Sequence, residues 1–135
     1  MLFRSLLEKG ADVNAQDKKG TTALMKVALT GNLSIAELLI EAGARVDHAN
    51  SKGTTPLMLA SLVRHKKVVD LLLEKKADVQ AKDIRGTTAL IYSLLPNTSD
   101  ALSTVVSFYQ EDVFSVLLAH GADIEVGDID RKSVV

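Results

Sequence analysis

Gly20-Thr21-Thr22-Ala23-Leu24, Gly53-Thr54-Thr55-Pro56-Leu57 and Gly86-Thr87-Thr88-Ala89-Leu90 are three copies of one phrase, set 33 residues apart. A fixed period of that length marks a stack of small units, each of which buries its apolar faces only against its neighbours. A second phrase precedes each copy: Gly10-Ala11-Asp12-Val13-Asn14, Gly43-Ala44-Arg45-Val46-Asp47 and Lys76-Ala77-Asp78-Val79-Gln80. It returns once more as Gly121-Ala122-Asp123-Ile124-Glu125. Cut at the loop aspartate, the units run 17–49, 50–82 and an enlarged 83–127. Residues 1–16 read as the end of an earlier unit and 128–135 as the start of a later one.

The residues within a unit dictate two helices. Thr22, Thr55 and Thr88 are placed to cap a first helix, the hydroxyl accepting an otherwise orphaned amide. Pro56 follows in the middle unit at the first helical position, where its missing N–H does no harm. First helices are predicted over Leu24–Thr30 and Leu57–Arg64, with a third from Leu90. Second helices carry dense apolar blocks: Ile35 to Ile40, Val68 to Leu73, and Val113 to Leu118. Each block holds one polar residue (Glu37, Asp70 or Ser115), so these helices require cover on most sides. Ser34 and Glu37 read as a capping box at the entrance to one of them. Gly43 and Gly121 read as left-handed caps leading into an extended hairpin. Lys76 holds the same position in the middle unit, at about 1–2 kcal/mol if left-handed.

These residues resemble the ankyrin-repeat family, over Leu2 to about Ser133. Period, Gly-x-Thr-Pro/Ala-Leu phrase, triple-leucine block and Gly-Ala-Asp-Val-Asn hairpin all agree with it. The resemblance implies an all-α repeat solenoid of helix–turn–helix units joined by β-hairpin-like loops, forming one domain over 1–135. Two departures stand out. The histidine that usually follows the first-helix leucine is replaced by Met25, Met58 and Ile91, so its hydrogen bonds are expected to be absent. The Gly-His pair between helices survives only in halves, as Gly31-Asn32 and Arg64-His65.

The third unit is longer. Gly86 and Gly121 are 35 residues apart, against 23 for Gly20 and Gly43, so 12 extra residues lie between its helices. Pro96 stops the first helix, and Thr98 or Ser99 can cap a new one. Leu102, Val105, Val106, Tyr109, Val113, Val116 and Leu117 follow helical spacing, which predicts one lengthened second helix from near Asp100 to about Ala119. Its simplest role is to pack on its own neighbour; the sharper one is that Val106, Phe108 and Tyr109 present a contact surface.

Composition narrows the function classes. The chain has 135 residues, 47% of them hydrophobic, a formal charge of −1 and no cysteine. That supports one compact domain and excludes disulfides, thiolate metal sites and a thiol nucleophile. The charge balance gives no whole-molecule field to gather nucleic acid or anionic lipid. With no membrane-length apolar run and no signal-peptide pattern, a cytoplasmic chain is expected.

The family's partners usually meet the hairpin tips and the concave face. Carried over, the tip residues are Lys18, Lys19 and Thr21; Ser51, Lys52 and Thr54; Ile84, Arg85 and Thr87. The groove residues are Leu29 and Thr30, then Leu62 and Val63, then Leu95. Phe108 and Tyr109 would extend them. A basic row of Lys18, Lys19, Lys52, Lys82 and Arg85 would lie beside the apolar column of Leu29, Leu62 and Leu95, suiting a partner segment with acidic and apolar residues. The bland alternative is that the tips are merely solvated and the leucines pack between units.

Catalysis is not expected. His48, His65 and His120 fall at different places in their units and should not converge. The loop aspartates Asp17, Asp83 and Asp128 have a turn-stabilising duty. The acidic run Asp123, Glu125, Asp128 and Asp130 lacks the spacing and glycine of a calcium loop. No cofactor or metal is called for. The expected function is a protein–protein interaction module. Apolar residues at the ends of the stack allow self-association, and membrane partners are not expected. The alternative is a regulatory or targeting piece of a larger multidomain protein; nucleic-acid binding by the basic row ranks below both.

Overall fold

The computed structural model describes Gly10, residues 12–95 and residues 113–122. Among these residues there are six helices: α1 (Ala23–Thr30), α2 (Leu33–Glu41), α3 (Pro56–Leu62), α4 (Lys66–Glu74), α5 (Ala89–Leu94) and α6 (Val113–Ala119). They pair within units as α1 with α2 and α3 with α4, while α5 packs on α6. Between units α1 packs on α3 and α3 on α5, and likewise α2 on α4 and α4 on α6. Two helical layers result, stacked unit upon unit. This is the expected solenoid. The connecting loops are hydrogen-bonded turns rather than strands among the described residues. The predicted early start of the last helix, with Phe108 and Tyr109, lies outside the described residues.

The threonine caps form as predicted. Thr22, Thr55 and Thr88 have extended backbones, and their hydroxyls accept from the amides of Met25, Met58 and Ile91, each at 3.4 Å. Met58 recovers part of what the missing histidine would supply, because its sulfur accepts from the Thr55 amide at 3.4 Å and closes a capping box. The box expected at Ser34 and Glu37 does not form. Asn32 caps α2 instead, its Oδ1 accepting from the Ile35 amide at 3.2 Å. Asparagine is at least as good a cap as serine, so the helix begins at the earlier residue.

The second helices end as their sequences require. Gly43 (φ 97°), Lys76 (φ 68°) and Gly121 (φ 92°) are left-handed. Behind them the amides of Ala44, Ala77 and Ala122 return to the carbonyls of Leu39, Leu72 and Leu117 at 2.9 to 3.0 Å. Arg64 is left-handed too (φ 58°), with the His65 amide returning to Ala60 O at 3.0 Å. It stands where Gly31 stands one unit earlier, and it is the less comfortable residue for that backbone.

The core runs along the seam between the two layers. Leu24, Met25, Leu39, Leu57, Met58, Leu72 and Leu117 are essentially sealed from solvent. The apolar blocks differ in cover. Val68, Val69, Leu71, Leu72 and Leu73 of α4 are all buried, because α2 and α6 flank that helix. In α2 only Ala36 and Leu39 are buried, and in α6 only Val113 and Leu117. Every buried side-chain nitrogen or oxygen among the described residues has a hydrogen-bond partner.

Candidate functional site

Each tip is built by one side chain. Asp17 Oδ1 accepts from the amides of Lys19 and Thr21, both at 2.9 Å. Asp83 Oδ1 accepts from Arg85 at 2.8 Å and Thr87 at 2.9 Å. Asn50 does the same in the middle unit, holding the amides of Lys52 at 2.9 Å and Thr54 at 3.0 Å. The turn-forming duty read for Asp17 and Asp83 is therefore what they perform; Asp128 lies outside the described residues. Neighbouring tips are laced together, Ser51 N donating to Lys19 O at 2.9 Å and Ile84 N to Lys52 O at 3.0 Å.

That lacing puts Lys19, Lys52 and Arg85 at equivalent positions of successive tips, and all three are exposed. Lys18, Ser51 and Ile84 form the adjoining exposed positions, Ile84 at 73%. Lys82 is exposed beside them. The threonines behave otherwise. Thr21 and Thr87 are half-buried, and Thr54 is buried at 6% exposure. Thr54 is thus a structural member of the tip, with little surface to offer, because its unit is covered on both sides.

The groove positions are graded. Leu29 and Leu95 are exposed, at 42% and 38%, and Thr30 is exposed as well. Leu62 and Val63, in the middle unit, are half-buried. Leu94 adds a further exposed leucine at 40%. The apolar column is therefore open at its two ends and partly covered in the middle.

Where the row and the column meet, Lys52, Thr54, Asp83, Ile84, Arg85, Thr87, Tyr92 and Leu95 line a cleft of about 250 Å³. Tyr92 is the member that the sequence did not disclose. Its hydroxyl donates to Asp83 Oδ2 at 2.7 Å, from a helix that starts after the turn. The signal was an aromatic hydroxyl at a position where the earlier units carry Lys26 and Leu59. Burial pushes the Asp83 carboxyl up, but the Tyr92 hydroxyl and the Thr87 and Arg85 amides outweigh it and hold the group below its ordinary value. Asp17 is also lowered, by the amides of Thr21 and Lys19. Burial raises Tyr92 above its ordinary value, and the hydrogen bond to Asp83 adds to this.

The histidines go to separate places, as their unit positions require. His48 Nε2 meets Gly20 O at 3.0 Å, His65 Nε2 meets Leu29 O at 3.1 Å, and His120 Nδ1 meets Val116 O at 2.9 Å. Facing a carbonyl, each of those nitrogens acts as donor. Among the described residues no three His, Asp or Glu side chains gather as a metal site would require. The acidic run from Asp123 to Asp130 lies outside them. No described helix is long and apolar enough to cross a membrane.

A family model for ankyrin repeats, in three copies, matches residues 1–83, more than half of the chain. The chain belongs to the ankyrin-repeat family. Ankyrin repeats are in general protein–protein interaction modules, and the family is in general a non-enzymatic scaffold. A comparison with curated proteins gave no match. The matched residues end at Asp83, so α5 and α6 lie beyond them, yet these helices continue both layers of the ankyrin stack.

Proposed function

We propose that this ankyrin stack is one domain that binds another protein along its tips and concave face. The partner segment is acidic and apolar. The observation that carries this reading is the laced tip row: Lys19, Lys52 and Arg85 sit in register, exposed, beside Leu29 and Leu95. Three like charges at equivalent positions repel one another, and an acidic partner relieves that repulsion. Presentation is rigid, since every tip is held by side-chain and inter-unit bonds, so little ordering entropy is lost on binding. By contrast Glu37, Glu41, Asp70 and Glu74 lie on the second helices, in the other layer.

The test is a pull-down from lysate of the source cell, comparing wild type with Lys19→Glu/Lys52→Glu/Arg85→Glu after circular dichroism has matched their folds. A partner captured by wild type and lost from the variant supports the tip face. Equal capture by both proteins sinks it and moves attention to the region of Phe108 and Tyr109.

A further inference from the structure

Ile84 is the most exposed large apolar side chain among the described residues, and nothing in the fold explains it. It sits on a turn tip, where the two preceding units carry Lys18 and Ser51. The turn beneath it is the most firmly held of the three. Asp83 accepts the Arg85 and Thr87 amides, as its counterparts do, but also the Tyr92 hydroxyl at 2.7 Å. The Ile84 amide is itself bonded to Lys52 O. A β-branched side chain on so fixed a backbone has little freedom left to lose, which is the condition for an anchor residue at an interface.

The surroundings state what the anchor takes. Ile84 and Leu95 supply the aliphatic part of the cleft, beside the Tyr92 ring. Lys52 and Arg85 also line it, with exposed side chains. The one carboxylate present, Asp83, is already committed to three hydrogen bonds. The two cations therefore attract carboxylates, and the aliphatic pair attracts a methyl-bearing chain. A nucleic acid fits less well: it needs a run of aromatic platforms for successive bases, and among the described residues the cleft offers one ring, Tyr92, already tied to Asp83.

We propose that the cleft between the second and third tips anchors an extended acidic peptide segment bearing one aliphatic side chain. Ile84 and Leu95 receive the aliphatic group, while Lys52 and Arg85 meet the flanking carboxylates. This rests on the tip-face reading and sharpens it, since it makes recognition unequal along the row. All three tips contribute charge, and the third adds selectivity. Tyr92 is a positioning residue, acting through Asp83 on the turn that carries Ile84.

The experiment uses the full chain and fluorescence anisotropy with four labelled probes: a glutamate decapeptide with one central leucine, the same peptide with serine in its place, a lysine decapeptide with the central leucine, and a thymidine decanucleotide. The leucine-bearing acidic peptide is expected to bind about tenfold tighter than its serine twin, as one well-seated aliphatic group gives. Ile84→Ser, at an exposed position that does not endanger folding, should reduce that ratio to about one while leaving the serine peptide's binding unchanged. Tyr92→Phe keeps the ring and loses the Asp83 bond; it should lower the ratio without changing the salt dependence. Equal binding of both acidic peptides, weakened by Lys52→Glu, overturns the anchor and leaves the tip face standing. A leucine preference that survives Ile84→Ser also overturns it. Failure of both acidic peptides to bind in dilute salt, or tighter binding of the lysine peptide or the oligonucleotide, overturns the acidic-segment proposal; the pull-down above then judges the tip face separately.

Discussion

The guanidinium of Arg64 closes over the end of the next unit's first helix, Nη2 donating to Ser93 O at 3.2 Å and to Leu95 O at 3.4 Å. Nε shares the Ser93 carbonyl at 3.3 Å. These carbonyls are among the acceptors a helix end leaves without intrahelical partners, so one unit caps its neighbour. Arg64 does this from a left-handed backbone, φ 58°. Removing the side chain and relieving the backbone are therefore separable. Arg64→Ala should cost about 1–2 kcal/mol, the loss of charge-assisted bonds at a half-buried site. Arg64→Gly loses the same bonds but relaxes the backbone, and should be the more stable of the two by about 1 kcal/mol. Urea unfolding of both variants checks the order; a more stable alanine variant would refute the account.

The equivalent junction one unit earlier uses different residues. A Cβ added to Gly31 would lie 2.6 Å from His65 Nδ1, and Gly31 has φ 78°. Gly31→Ala should therefore strain the turn and push the imidazole off Leu29 O, costing about 2–3 kcal/mol. Gly43→Ala is the control. Its φ is 97°, but nothing lies within 4 Å of the added carbon, so it should show the strain alone, about 1–2 kcal/mol. Equal losses in thermal or chemical unfolding would remove the steric part of the argument.

Leu39 and Leu72 lie on adjoining second helices of the same layer and are 1% and 0% exposed. Truncating either to alanine should cost about 2–5 kcal/mol. Leu72 should suffer more, since its helix is flanked by α2 and α6, while among the described residues α2 is flanked in its layer by α4 alone. Losses below about 1 kcal/mol at both positions would contradict the core described above.

The tips contribute to the acid sensitivity of the fold. Asp17 and Asp83 are held below the ordinary carboxylate value of 3.8 in the folded chain. The unfolded chain therefore takes up their protons first as pH falls. Their contribution is present above pH 3.8 and is lost as pH falls through their lowered values. Asp83→Asn should keep both turn bonds, as Asn50 does, and exchange the charge-assisted bond from Tyr92 for a weaker neutral one donated by Nδ2. Its melting temperature should be lower at neutral pH and fall less steeply below pH 3.8 than that of wild type. An unchanged acid slope would show that Asp83 does not contribute.

The architecture was legible because its evidence is periodic. The repeated phrases placed the threonine caps, the left-handed ends at Gly43, Lys76 and Gly121, and the turn duties of Asp17 and Asp83. What the sequence hid were choices between nearby alternatives and contacts with no fixed offset. Asn32 and Ser34 are two residues apart and both are good caps, so local chemistry did not select between them. Thr54 carries a tip motif but is covered by neighbours on both sides, a matter of its place in the stack. Tyr92 acts through a bond nine residues back, and Arg64 through one about thirty residues forward; neither spacing belongs to a helix or a turn.

The lacing of the tips also bears on chemical ageing. Asn50 precedes Ser51, and an asparagine loses its side-chain amide as ammonia when the following backbone nitrogen attacks the side-chain carbonyl, the cyclic imide then being opened by water to a carboxylate. Here that nitrogen's hydrogen is engaged with Lys19 O, and Asn50 Oδ1 is fixed by two amides of its own turn. The attack geometry is closed while the first two units stay together and opens when they part. Each opening that ends in deamidation leaves a carboxylate in the middle of the basic row, so the molecule's history of loosening becomes written in its charge.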